Sequence, residues 1–421
     1  MLLMEYSVMM PKGPNSFEEA TEQYLIWLRA SITVNERQWI KRKERVAQGT
    51  PFEYLRSTFY RWSQWWPTIC EELDSAPLVL GVGDLHVENF GTWRDAEGRL
   101  VWGVNDFDEC CCLPYTNDLV RLATSARFAI EESETKKLLK NAKENNFSIE
   151  EITKNLKQIT KEAEGRFHEA CSAILSGYRD ILDPQRKEVV RKPFVLAEKE
   201  IHSWLREIVL NKLRVKDGKS EFVQFLNEMV ELPNVSDMIP RTAWEALNQS
   251  MPESGVSFRI GTREAGLGSL GRQRFTAVVE DWHGGILARE AKALAPSAWL
   301  WWTDERQNTN EILCDEALRH AVRARDPWMS FVIGEQNWVV RRIAPDSGKV
   351  KLKDLPKEFQ LEDDLLRAMG HETANVHVVL GNVWQDLDVR NNKDPEWLHN
   401  YAVKMADTIV EEWAMIYEPS P

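Results

Sequence analysis

No apolar run in the sequence is long enough to cross a bilayer, so a helical membrane span is excluded. Basic residues are in deficit: 53 Lys and Arg stand against 66 Asp and Glu, for a formal net charge of -13. That balance argues against an extended phosphate-binding surface for nucleic acid, although a local basic pocket stays open. Cysteine is sparse, with six residues, three of them consecutive at Cys110, Cys111 and Cys112. Adjacent cysteines alternate in direction, so the run fits neither zinc-ligand spacing nor an oxidising-compartment disulfide framework. Met1 to Pro14 lacks a basic segment followed by a long apolar one, so no secretory leader is expected and a reduced cytoplasm is the expected setting. Disorder is excluded by an apolar fraction of 43%. The 18 Trp read as core and interface packing rather than as a stacking platform for sugars or bases.

What the sequence does carry is concentrated around Gly83-Asp84-Leu85-His86-Val87-Glu88-Asn89-Phe90. An apolar lead-in, Leu78 to Leu80, reads as a strand, and Gly81 and Gly83 allow a sharp turn after it. A second strand, Leu100 to Val104, delivers Asp106 and Asp108 at its end. An Asp, an Asn and another Asp brought to one edge suit phosphoryl transfer. One carboxylate takes the proton of the attacking hydroxyl, and an amide oxygen and a carboxylate hold Mg²⁺ against the phosphates.

Gly-Asp-Leu-His-x-x-Asn, Asp-Phe-Asp and then Asn117 to Ala123 together resemble the catalytic segment of aminoglycoside phosphotransferases and other protein-kinase-like enzymes. Pro51 to Arg56, Asn89-Phe90-Gly91 and Asn105 to Glu109 are similar to an uncharacterised bacterial family, domain of unknown function 2252, from about Gln48 onward. The kinase-like resemblance implies Asp84 as catalytic base, with His86 ordering the loop. It implies Asn89 and Asp106 as magnesium ligands, with Asp108 supporting a second ion or the first.

Further along, Val256 to Ala265 is strand-like. Gly266-Leu267-Gly268-Ser269-Leu270-Gly271 follows, and then Arg274 to Val279. Gly-x-Gly-x-x-Gly alone is shared by dinucleotide folds and kinases. A dinucleotide turn opens a helix, whereas Thr276, Val278 and Val279 have strand character, which fits a hairpin over nucleotide phosphates. On that reading Gly266, Gly268, Ser269 and Gly271 cover the phosphates. Lys292, on a third strand after the Asp281 to Gly285 turn, neutralises them. Asn310 to Arg325 reads as an amphipathic helix offering Glu311 or Glu316 to orient that lysine. Trp338 to Ile343 reads as a strand on which at most one of Arg341 and Arg342 faces the cleft.

Other segments read structurally. Phe17 to Trp66 is helical, and its basic stretch Arg37 to Arg45 is a solvated face. Asp118 to Ile130 is a helix, with Asp118 capping it or bracing the catalytic loop. Ser148 to Glu151 is a capping box. Asp394-Pro395-Glu396 opens the last helix.

The order of these parts is unusual for a kinase, because the catalytic loop precedes the glycine-rich hairpin. The expected fold class is therefore α+β, a bilobal protein-kinase-like fold that is circularly permuted. Residues 1–250 would hold the catalytic loop and helical large lobe, 251–348 a small antiparallel lobe, and 349–421 helices completing the large lobe. Ala374 to Leu380 resembles the helix that precedes the catalytic loop in small-molecule kinases, and this helix, holding His377, would then pack beside that loop. The expected activity is an ATP- and Mg-dependent phosphotransferase acting on a small-molecule hydroxyl. Three alternatives stand beside it: a nucleotide-binding pseudokinase regulating a partner, a nucleotidyltransferase, and a metal-dependent hydrolase built on Asp84, His86, Asp106 and Asp108.

Overall fold

The structure is a computed structural model that describes residues 15–145, 148–185, 193–196, 205–207, 221–263, 271–303, 312–323, 325–327, 329–344, 347–349, 362–379 and 382–417. It is a mixed α+β chain with several small antiparallel sheets.

The N-terminal helical stretch resolves into α1 (Phe17–Ser31), α2 (Glu36–Gln48), α3 (Pro51–Ser57) and α4 (Phe59–Ile69). Each break has a local cause. Asn35 caps α2 by accepting from Gln38 N, and Thr50 forms a capping box with Glu53 just ahead of Pro51. Ala20, Tyr24, Leu25 and Leu28 are all buried, as their spacing requires. Within the basic stretch Arg37, Lys43 and Arg45 are exposed, but Arg42 is buried and donates to Ser57 O.

After the short α5 (Glu71–Asp74) come β1 (Leu78–Gly81), β2 (Phe90–Arg94), β3 (Leu100–Val104) and β4 (Cys111–Pro114), so a strand not anticipated from the sequence starts directly after Asn89. The helix expected over Asp118 to Ile130 is longer, α6 (Tyr115–Asn145). It is followed by α7 (Ile149–Leu182), which Ser148 and Glu151 open as a capping box. Then come β5 (Phe194–Val195), α8 (Glu221–Val230) and α9 (Arg241–Gln249).

Residues 259–342 build a five-stranded antiparallel sheet from β6 (Arg259–Thr262), β7 (Arg274–Trp282), β8 (Gly285–Leu294), β9 (Ser330–Val332) and β10 (Asn337–Arg342), ordered β6-β7-β8-β10-β9. β6 and β7 pair with Thr262 opposite Phe275, so the glycine-rich segment does join two strands. The turn to β8 has positive φ at His283 and Gly284 and is tied by Gly284 N to Asp281 Oδ1 at 2.9 Å. Between β8 and β9 lie α10 (Ala298–Thr303) and α11 (Cys314–His320), shorter than the helix expected over Asn310 to Arg325.

β11 (Gly348–Lys349) leaves this sheet and pairs with β2, in a sheet ordered β11-β2-β3-β5. α12 (Asp363–Val376) and β12 (Val378–Val379) follow, and β12 pairs with β1 in a sheet ordered β12-β1-β4. His377 sits just beyond the helix expected to contain it, as the C-cap of α12. α12 crosses α7 with almost no space between backbones: a Cβ on Gly177 would lie 2.0 Å from Arg367 O, and one on Gly370 2.1 Å from Ile174 O. α13 (Val383–Lys393) and α14 (Trp397–Ile416) end the described chain. Asp394 does not open α14. It accepts from Glu396 N in a turn ahead of the helix. Among the described residues no helix is long and apolar enough to cross a membrane.

Candidate active site

The loop after β1 is held by backbone geometry first. Gly83 has φ +79°, and a Cβ there would lie 2.3 Å from Glu109 O, so both conformation and space demand glycine. Asp118, in the first turn of α6, accepts from Val82 N at 2.6 Å and Gly83 N at 2.9 Å. It also meets His377 Nε2 at 2.9 Å, and Tyr178 Oη lies 2.7 Å from His377 Nδ1. Asp118 thus braces the loop, and the segment around His377 packs beside it.

His86 is buried. Its Nδ1 accepts from Glu88 N at 3.2 Å, and the Phe52 ring meets it edge-on. Burial, with Arg56 second, holds its pKa well below the ordinary imidazole range. A neutral ring with one nitrogen committed to the loop backbone orders that loop.

Asp84 Oδ1 accepts from Arg121 Nε at 3.1 Å and also pairs with Arg121 Nη2. Arg121 is wholly buried, stacked 4.9 Å from the Phe59 and Trp62 rings, and donates to Leu55 O at 2.7 Å. Burial raises the Asp84 carboxyl, and Arg121 pulls it back without cancelling the shift.

Asn89 is 1% exposed. Its Nδ2 donates to Asp84 O at 3.2 Å and Asp106 O at 3.1 Å, which leaves Oδ1 buried without a hydrogen-bond partner among the described residues. Asp106 Oδ2 accepts from Lys349 Nζ at 2.9 Å, and its Oδ1 lies 4.0 Å from Lys292 Nζ. Burial opposes ionisation of Asp106, but Lys292, Lys349 and Arg341 outweigh it and hold the carboxyl well below the usual range. Lys292 pairs directly with Asp108, which also lies 3.9 Å from Arg272. Lys292 is 2% exposed, and burial lowers its pKa to about 8 against the pull of Asp106. Glu109 closes the turn, pairing with Arg272 and accepting from Ala298 N at 2.6 Å.

The five-stranded sheet turns a polar face to this cluster. Strand register puts Arg274 and Lys292 opposite one another, next to Thr276, Glu290 and Arg341. Phe275, Ala277, Ala291, Ala293, Trp338 and Val340 alternate with them and enter the core. Glu290 is buried beside Arg274, Arg263 at 3.4 Å and Arg341 at 3.9 Å. Arg341 therefore faces the site, while Arg342 alternates away, where its charge bears on Arg289.

Asp84, Asn89, Asp106, Asp108 and Lys292 thus converge from two distant stretches of chain. Gly266, Gly268, Ser269 and Glu311 lie outside the described residues. Gly271, at φ +94°, packs on Trp39, and its carbonyl accepts from Asn35 N at 2.8 Å, so it anchors the hairpin to α2. Glu316 is exposed on α11, and the carboxylates that meet Lys292 are Asp108 and Asp106.

Sequence reasoning missed Arg121, Arg272, Glu109 and Lys349. Arg121 had a readable mark, a charge one turn after Asp118 among apolar neighbours of a helix. Lys349 had none, because its place depends on β11 joining β2.

The fold and site describe a mixed α+β protein with a buried Asp/Asn/Lys centre. The model of a family described as an uncharacterized protein conserved in bacteria, DUF2252, matches residues 36–418, and the chain belongs to that family. No curated protein and no solved structure matches the chain.

Proposed function

We propose that this protein is a kinase-like phosphotransferase that takes ATP with magnesium and a small-molecule hydroxyl acceptor. Its lobes would be circularly permuted, with 251–348 as the nucleotide lobe between the two parts of a large lobe. The observation that carries the reading is the buried Asn89 Oδ1, unpartnered among the described residues, on an amide whose Nδ2 is tied to the Asp84 and Asp106 carbonyls, with Lys292 4.0 Å from the Asp106 carboxylate. A buried carbonyl oxygen without a donor is expensive unless a cation meets it, and an amide oxygen beside a carboxylate suits magnesium.

Asn89 Oδ1 and Asp106 would hold that ion, which would supply charge neutralisation at the phosphates. The chain's own residues do the rest. Asp84, fixed by Arg121 on one oxygen, accepts the acceptor's proton on the other. Lys292, with Arg341 behind it, offers positive charge from the sheet face. Neutral His86 keeps the loop in shape. A metal hydrolase built on Asp84, His86, Asp106 and Asp108 is disfavoured. His86 is buried with its Nδ1 taken by Glu88 N, and that reading leaves the face of the sheet that carries Arg274, Lys292 and Arg341 without a role.

The test is calorimetry with Mg·ATP, followed by mass spectrometry of candidate acceptors. Wild type should bind. Asp106→Ala and Asn89→Ala should lose magnesium-dependent binding, and Asp84→Asn should keep binding but lose turnover. Added AMP in place of phosphate would make the protein a nucleotidyltransferase, and binding without any transfer a pseudokinase. A wild type blind to Mg·ATP removes the reading altogether.

A further inference from the structure

Among the described residues five cationic side chains surround the Asp84, Asp106 and Asp108 carboxylates, and four of them are held in place by neighbouring groups. Arg121 is locked on Asp84 and stacked between two rings. Arg272 is buried against Glu109, Lys292 is buried against Asp108, and Arg341 stands by Glu290 on the sheet. Lys349 differs. Its side chain is 32% exposed, and its ammonium caps Asp106 Oδ2 at 2.9 Å.

The placement of Lys349 is equally specific. Gly348 and Lys349 pair with Thr92 and Gly91, two residues beyond Asn89 on the strand that Asn89 precedes. The backbone is therefore fixed next to the metal-ligand candidates, while the four-carbon stem leaves the ammonium free to swing over several ångströms. In the resting protein that ammonium offsets a carboxylate that would otherwise face Asp84 and Asp108 as a third negative charge. A divalent cation on Asp106 and Asn89 Oδ1 would repel an ammonium on the same carboxylate, and the ammonium's nearest new counter-charge would be the phosphates that arrive with the metal.

We propose that Lys349 is an exchangeable cation of this site, capping Asp106 when the site is empty and binding the nucleotide's phosphates when Asp106 takes the metal. This rests on the phosphotransferase reading. It predicts effects of opposite sign on two ligands, which a merely structural lysine would not produce.

The probes are Mn²⁺ alone, followed by electron paramagnetic resonance of the free ion, and Mg·ATP, followed by calorimetry, on the full chain. Lys349→Met and Lys349→Gln should bind Mn²⁺ several-fold more tightly than wild type, because a competing charge is gone. The same variants should bind Mg·ATP roughly tenfold more weakly. Lys349→Arg should restore wild-type order for both. Unchanged or weaker Mn²⁺ binding in the Met and Gln variants, or unchanged Mg·ATP binding, overturns the proposal. Loss of both affinities together makes Lys349 structural and also overturns it. Asn89→Ala separates the two claims. If it binds both ligands as wild type does, the phosphotransferase reading falls with the Lys349 role. If it loses them while Lys349→Met behaves as wild type, only the Lys349 role falls.

Discussion

Glu372 shows what a single buried carboxyl does away from the Asp84 and Asp106 cluster. It stands on α12, 2% exposed, so close under β3 that a Cβ on Gly103 would lie 2.5 Å from its Oε2. Asn375 Nδ2 donates to its Oε1 at 2.9 Å. Burial pushes the carboxyl up to about 7, against the pull of Asn375 and Arg323. With the folded pKa above the unfolded 4.5, the fold binds more protons than the unfolded chain between those values. The contribution of Glu372 is therefore fully present below about pH 4.5 and lost as pH rises through about 7. Glu372→Gln keeps the acceptor for Asn375 without the charge. In urea titrations it should be more stable than wild type at pH 8 by about 1–3 kcal/mol, with the difference shrinking toward pH 5. A difference that does not change with pH would mean that folding leaves the Glu372 carboxyl's pKa where it stands in the unfolded chain, against the raised value. At this scale the sequence was legible where residues sit close in the chain. Asp84, Asn89, Asp106 and Asp108 fall within one short loop-strand-loop and were readable together. Glu372 and Lys349 were not, because burial and a distant counter-charge give them their character.

The elements that position the site rely on one unusually close crossing. α7 and α12 meet through Gly177 and Gly370, each so near a backbone carbonyl of the other helix that a Cβ would not fit. α12 in turn carries His377 at its C-cap, and His377 holds Asp118. Gly370→Ala would place a methyl carbon 2.1 Å from Ile174 O, a contact that no side-chain rotation relieves. It should destabilise the protein by about 3 kcal/mol, from a backbone shift in a packed interface. Asp118 would also lose its fixed partner, so any Mg·ATP affinity should fall in the same variant. Thermal denaturation matching wild type would mean that the helices separate without strain. Local spelling exposed several elements: the capping box at Ser148, the alternation of 274–279 and the turn at Asp281 to Gly285. It did not expose where helices stop. The helix expected from Asn310 is described only over Cys314–His320, and Asp394 forms a turn ahead of α14, because periodicity continues through residues whose backbones serve other contacts.

Across the whole molecule, the ends of the chain complete what its first third begins. β12 pairs with β1, which leads into the Asp84 loop, and His377 reaches Asp118. Glu412 on α14 is buried, pairing with Arg61 and accepting from the Tyr54 hydroxyl and from Trp65 Nε1 at 3.3 Å. The sequence pointed toward this closure only in placing the segment around His377 beside the Asp84 loop, which the contact with Asp118 matches. The contacts that achieve it were not legible, because Arg61 and Glu412 have no shared pattern that marks them as partners. Removing residues 362–421 would strip β1 of a neighbour and α7 of its closest packing partner. It would also leave Arg61 as a buried charge without its carboxylate, a loss that alone is worth about 3–5 kcal/mol. Typical domain stability is about 5–15 kcal/mol, so the fragment ending at 361 should show no cooperative unfolding transition, even though its five-stranded sheet is intact in sequence. Circular dichroism on heating, with wild type alongside, checks this. A fragment that melts as sharply as the full chain would mean that the first 361 residues fold without the strand and helices that follow them.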